Sequence, residues 1–212
     1  MNLDFHCFDQ KAVIFCLEHP GAVGMVTAPT FRMLEDATLR TLFKIIPESL
    51  YVYHKGEMRM EFKNNSEMLL RSTDDPERLR GPNLAFVWMD EAALSPSEAF
   101  KILQGRIRLP GYPHQLWITT TPKGFNWIFQ EFAAEERSGY SMHTWPTYAN
   151  PYLDIEFAKQ LKSDYPGNFG LQELEAQFVI TEGLAFFDAD TLGEMMKEVE
   201  RPIEERMGTI SI

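Results

Sequence analysis

Leu84-Ala85-Phe86-Val87-Trp88-Met89-Asp90-Glu91 runs an apolar segment directly into two acids. A short, continuous apolar run bounded by polar residues reads as a strand buried on both faces, as in a parallel sheet. Ligands of open parallel sheets collect beyond the carboxyl ends of the strands, where Asp90 and Glu91 fall. Nucleoside triphosphate hydrolysis needs one acidic group there to hold Mg²⁺ and a base to orient the attacking water. Asp90 and Glu91 can divide those roles. The same pair can instead cap the start of the next helix, where negative charge is favoured.

Working outward, further strands and helices alternate around this one. Residues 6 to 18 suit a helix, which Pro20 and Gly21 stop. Val23-Gly24-Met25-Val26-Thr27-Ala28 is a second buried strand, closed by Pro29, and residues 31 to 46 have helical spacing. From residue 51 to 72 the period changes to two, with Asn64-Asn65 as a turn signal, which predicts a hairpin. A polar loop, 73 to 81, leads back to the acidic strand. Ser95, Pro96 and Glu98 have the spacing of a capping box opening a helix over 95 to 107. A strand at 115 to 120, a helix at 127 to 136, a strand at 141 to 145 and helices at 154 to 164 and 168 to 178 complete the pattern. Strands separated by helices predict an α/β fold, a mostly parallel sheet flanked by helices on both faces.

Composition bounds the function. The 212 residues are enough for one sizeable domain with a short appendage, and 44% hydrophobic with 24% charged is ordinary for a globular chain. No apolar run reaches the roughly 18 residues of a membrane span, and the N-terminus lacks the features of a signal peptide. Cys7 and Cys16 match no zinc spacing and read as reduced thiols of a cytoplasmic protein. The formal net charge of −11 argues against a passive duplex binder, which would carry a basic face.

Other candidates flank the acidic pair. The strand at 115 to 120 runs into Thr119-Thr120-Thr121-Pro122-Lys123-Gly124, whose hydroxyls can bond a γ-phosphate or the attacking water. Threonines are also simply good β-formers. Arg71, Arg78 and Arg80 lie before the acidic strand, and a forked guanidinium suits charge developing on a phosphoryl group. A solvated polar loop is the plainer reading of the same residues.

Taken in order, several stretches resemble the large terminase subunit of tailed bacteriophages. They are Thr27-Ala28-Pro29-Thr30-Phe31, residues 72 to 81 with Asp75-Pro76-Glu77-Arg78-Leu79-Arg80-Gly81, Phe86 to Ala92, and Thr119 to Gly124. Tyr148-Ala149-Asn150-Pro151-Tyr152 and residues 177 to 183 add to the series, which covers about 20 to 187. The resemblance implies a RecA-like ATPase of the ASCE class that pumps double-stranded DNA into a prohead, using ATP and Mg²⁺. It makes Asp90 the Mg²⁺-binding aspartate, Glu91 the catalytic glutamate and Thr119, Thr120 and Thr121 the nucleotide-coupling motif. Arg80 would complete a neighbouring subunit's site in a homo-oligomeric ring, with Arg78 two residues away as the other candidate. The implied partners are DNA, a portal protein and a small terminase subunit, in the cytoplasm of a bacterial host, with no membrane.

Two features of the family are missing from these residues. No G-x-x-x-x-G-K-[ST] phosphate loop occurs: neither Gly21 nor Gly24 is followed by Lys-Ser or Lys-Thr, and Lys123-Gly124 has the wrong order. The nuclease domain that the resemblance implies would begin only near Ile212, and Asp188 and Asp190 read as helix caps rather than metal ligands. The expected organisation is an incomplete ATPase domain over 1 to 187, truncated at its N-terminus, then a linker or the start of a nuclease over 188 to 212. Such a chain by itself should hold nucleotide poorly. A non-catalytic remnant that binds ring partners, and a helicase-like ATPase, are the alternatives.

Overall fold

The computed structural model describes residues 8–150 and 153–180. The chain divides into two compact units, Met1–Val179 and Ile180–Ile212. The expected boundary at 187, Asp188, Asp190, Cys7 and the 181–183 stretch lie outside the described residues, as do Pro151 and Tyr152.

Helix α1 (Phe8–Glu18) precedes strand β1 (Val23–Ala28). Next comes one helical run in three pieces: α2 (Phe31–Met33), a π-helix (Leu34–Leu39) and α3 (Arg40–Ile45). Thr30 starts it, its side chain accepting the Met33 N–H at 3.2 Å. Strands β2 (Tyr51–His54), β3 (Arg59–Phe62) and β4 (Glu67–Ser72) follow, so the expected hairpin is a three-stranded meander. Its turns use positive-φ backbone at Met58 and Asn65. Then come β5 (Phe86–Met89), α4 (Ser97–Gln104), β6 (Gln115–Ile118), α5 (Ile155–Asp164) and α6 (Gly167–Glu173).

The six strands form one sheet in the order β2-β3-β4-β1-β5-β6. The pairings β4–β1, β1–β5 and β5–β6 are parallel, whereas β2–β3 and β3–β4 are antiparallel. The parallel half carries the acidic strand at its centre. On one face Val26, Phe86 and Trp88 pack with Ala12, Phe15 and Cys16 of α1 and with Leu34 and Leu42. On the other, Met25, Val87 and Met89 pack with Ala99, Phe100 and Leu103 of α4. Apolar side chains at successive positions of β5 thus all find a core, which is why that strand reads as an unbroken run. Gly24 faces Phe86 across the β1–β5 pairing, and a Cβ there would stand 1.9 Å from the Phe86 ring. The Cys16 thiol is free and buried, and burial pushes it up to about 12, which leaves it inert.

Four expectations fail locally. Ser95 does not cap α4: Pro96 holds that position without a side-chain bond, and Ser95 Oγ instead takes the Thr73 hydroxyl at 2.7 Å. Residues 141–145 form no strand, and α6 stops at Glu173 rather than continuing to 178. The helix expected over 127 to 136 is a short segment with a π-helix at Phe129–Ala133. Among the described residues no helix is long and apolar enough to cross a membrane.

Candidate functional site

The carboxyl ends of β1, β5 and β6 are stitched together just past the sheet. Asp90 N–H donates to Thr27 O at 2.8 Å, Thr119 N–H to Met89 O at 3.0 Å, and Ala92 N–H to Thr119 O at 3.1 Å. These bonds extend the ladders by one residue and place Asp90 between the ends of its two neighbouring strands. The side chain of Asp90 is then held from several sides. Its Oδ1 accepts the Thr119 hydroxyl at 2.8 Å and the Glu91 amide at 3.1 Å. Its Oδ2 accepts the hydroxyl of Thr38 at 2.7 Å. Thr119 Oγ1 in turn accepts the indole N–H of Trp88 at 2.9 Å. A relay Trp88–Thr119–Asp90 therefore runs from the core of the sheet to the carboxylate.

Glu91 lies in the left-handed region, at φ 48 and ψ 43. Its carboxyl is raised above the ordinary 4.5 chiefly by burial, next by the charge of Asp90, and slightly by Glu173, while a backbone hydrogen bond from Thr121 opposes these. Burial and a like charge both disfavour the ionised form. A carboxyl raised in this way is suited to exchanging a proton with a water. The loop after it is pinned by Thr120, whose Oγ1 accepts the Ala93 N–H at 2.9 Å and donates to Thr121 O at 3.0 Å. Asn126 Nδ2 donates to Ala93 O, and the Trp127 indole to Ser95 O.

The three threonines named from the sequence thus converge on the acidic pair in different ways: Thr119 on Asp90, Thr120 on the loop, and Thr121 through its backbone on Glu91. The arginines do not converge. Arg71 is half-buried and spends its Nη1 on the carbonyls of Glu57, Met58 and Leu70. Arg78 pairs with Asp75 at 2.9 Å and Arg80 with Glu77 at 2.7 Å, both exposed. Thr38 and Trp88 were not singled out in the sequence. Thr38 carries a readable signal, however: it lies four residues from both Leu34 and Leu42, on the buried stripe of its helix. A hydroxyl at a core position must find a partner.

The donor set fits a magnesium ion held mainly by other ligands. Among the described residues no group of three His, Cys, Asp or Glu side chains is placed to hold a metal. Mg²⁺ is commonly bound by one or two carboxylates with waters and substrate phosphates supplying the rest, and Asp90 offers that one carboxylate.

A model of the phage terminase large subunit family matches residues 33–171. The PBSX phage terminase large subunit of Bacillus subtilis (strain 168) is 32% identical over 120 residues, covering 54% of this chain and 28% of that protein. The large terminase of a thermophilic bacteriophage superposes with a TM-score of 0.72 at 19% identity, over 86% of this chain and 47% of the other. That protein has also been solved with ADP and with ATP-gamma-S. The large terminase ATPase domain of Thermus phage P74-26 superposes with a TM-score of 0.62 at 23% identity, over 81% of this chain and 82% of the domain. At such identities the superpositions speak to the fold alone, which is that of large terminase ATPase domains. The chain spans under a third of the PBSX relative's length.

Proposed function

The chain belongs to the phage terminase large subunit family, and on that premise we propose that it carries the Mg²⁺-holding and water-orienting part of an ATPase that drives double-stranded DNA into a prohead. The observation that carries this reading is Asp90, clamped at a junction of parallel strand ends by Thr38 and Thr119, beside a Glu91 whose carboxyl is raised by burial. In it, Asp90 holds Mg²⁺ and Glu91 accepts a proton from, and orients, the attacking water. Bound Mg²⁺ would neutralise charge on the phosphate oxygens. Thr119 orients Asp90, and Thr120 and Thr121 hold the backbone that aims Glu91. Arg80, exposed and paired with Glu77, acts on a neighbouring subunit's nucleotide.

ATP as the nucleotide is supported by the ADP and ATP-gamma-S complexes of the structural neighbour. DNA, a portal protein, a small terminase subunit and a homo-oligomeric ring are assigned to the whole protein, in the cytoplasm of a bacterial host. So is turnover, because no G-x-x-x-x-G-K-[ST] loop occurs in these 212 residues to cradle the phosphates. In this reading residues 1 to 187 belong to an incomplete ATPase domain.

The test is calorimetric and kinetic. Titrated with Mg-ATP, the 212-residue chain should bind weakly and the full-length protein tightly. In the full-length protein Glu91→Gln should abolish turnover and spare nucleotide binding; retained turnover removes Glu91 as the base.

A further inference from the structure

Thr38 had a cheaper partner available. A threonine inside a helix ordinarily turns its hydroxyl back on a carbonyl of the preceding turn. Thr41, one turn later, does this, donating to Ala37 O at 3.2 Å. Thr38 instead reaches out of its helix to Asp90 Oδ2 at 2.7 Å, and its side chain is almost fully buried. The turn that carries it is π-helical, Leu34–Leu39, between two α-helical pieces. π turns are rare but frequent at functional sites, where the extra residue breaks the α register and re-aims what it carries.

The acceptor capacity of Asp90 says what this bond does. An ionised carboxylate offers about four lone-pair sites, two on each oxygen. On Oδ1 both are taken, by the Thr119 hydroxyl and the Glu91 amide. On Oδ2 one is taken, by Thr38. We propose that Thr38 is a positioning residue for Asp90: with Thr119 and the Glu91 amide it leaves the carboxylate, among the described residues, one open acceptor site, on Oδ2, and fixes the direction from which a divalent cation or its bound water is received. The proposal rests on the reading of Asp90 as the cation-holding group. Without the Thr38 hydroxyl the bonds on Oδ1 remain but Oδ2 loses its fixed contact, and the broad carboxylate torsion lets the open oxygen drift from one direction.

Mn²⁺ serves as the probe, because paramagnetic broadening of amide resonances detects weak and local binding. In the ¹⁵N-labelled 212-residue chain, Mn²⁺ should broaden the amides of Thr38, Glu91 and Ala92, and Asp90→Asn should remove that broadening. Thr38→Val should raise the Mn²⁺ concentration at half-broadening several-fold, and Thr38→Ser, which keeps the hydroxyl, should match the wild type. Thr38→Ala repeats the comparison with a smaller side chain in case the valine chain does not fold. A Thr38→Val or Thr38→Ala titration that overlays the wild type overturns the positioning role and leaves the Asp90 reading standing. So does a serine variant that behaves like the valine one, since packing rather than the hydroxyl would then be at work. Wild-type broadening that is absent at these amides, or that survives Asp90→Asn, overturns the Asp90 reading itself and the proposal with it.

Discussion

Asp90 and Glu91, adjacent in the chain, are joined by a hydrogen bond from the Glu91 amide to Asp90 Oδ1 at 3.1 Å, yet their carboxyl groups occupy different surroundings. Asp90 is met by two hydroxyls and an amide. Glu91, in left-handed backbone, is raised by burial and by the Asp90 charge with only the Thr121 backbone bond to offset them. Two like groups given unlike environments can take unlike roles.

The raised Glu91 carboxyl makes folding stability depend on pH in a definite direction. The folded state binds this proton more tightly than the unfolded one, so the contribution is fully present below the ordinary value of 4.5 and is lost as pH rises through the folded value. Glu91→Gln should therefore be more stable than the wild type near neutrality, with the gain fading in acid. Urea unfolding of both chains between about pH 4 and 8 checks this, and a gain that does not change with pH counts against it.

Gly24→Ala should destabilise the chain by about 3 kcal/mol, the upper range for forcing atoms into a packed core. The added methyl would meet Phe86 Cε1 at 1.9 Å between two central strands. Combining it with Phe86→Leu should recover part of the loss, a non-additive result expected of residues in direct contact. Additive losses in urea unfolding would mean that the strain lies elsewhere.

Thr27 Oγ1 is buried without a hydrogen-bond partner among the described residues. Thr27→Val keeps the shape and the β-branched preference of the strand while removing the unsatisfied hydroxyl. It should raise the unfolding free energy by about 1 kcal/mol. Loss of stability instead would show that the hydroxyl is satisfied in solution.

Arg80→Ala should leave the urea midpoint of the chain unchanged, since its pair with Glu77 is exposed. In the full-length protein it should lower ATP turnover by about 10³-fold or more, as loss of a phosphate-directed arginine does. Mixing Arg80→Ala and Glu91→Gln subunits should restore part of the activity, because each supplies what the other lacks across a subunit boundary. No recovery on mixing rules out action in trans, and Arg78→Ala is then the variant to compare.

Much of the site was legible because its determinants are local. The apolar run before Asp90, the strand over 23 to 28 and the threonines after residue 118 each announce themselves within a few residues. What sequence could not give were choices made by distant partners. Ser95 abandons its capping role for Thr73, 22 residues away, and Thr38 bonds Asp90 at a separation of 52. The π turn around Thr38 contains no Gly or Pro to mark it. Residues 141–145 read as a strand, but a ladder needs a neighbour, and among the described residues none is paired with them. The meander at 51–72 reads as a simple hairpin in sequence, whereas β4 serves both the antiparallel part and, through β1, the parallel part of the sheet.

The indole of Trp88 is buried, and its N–H bonds to the same Thr119 oxygen whose proton goes to Asp90. Any redistribution of charge at the carboxylate is therefore passed, through one hydroxyl, to a chromophore. The protein carries its own optical gauge at the strand end: emission from Trp88 should report events at Asp90 with no dye attached.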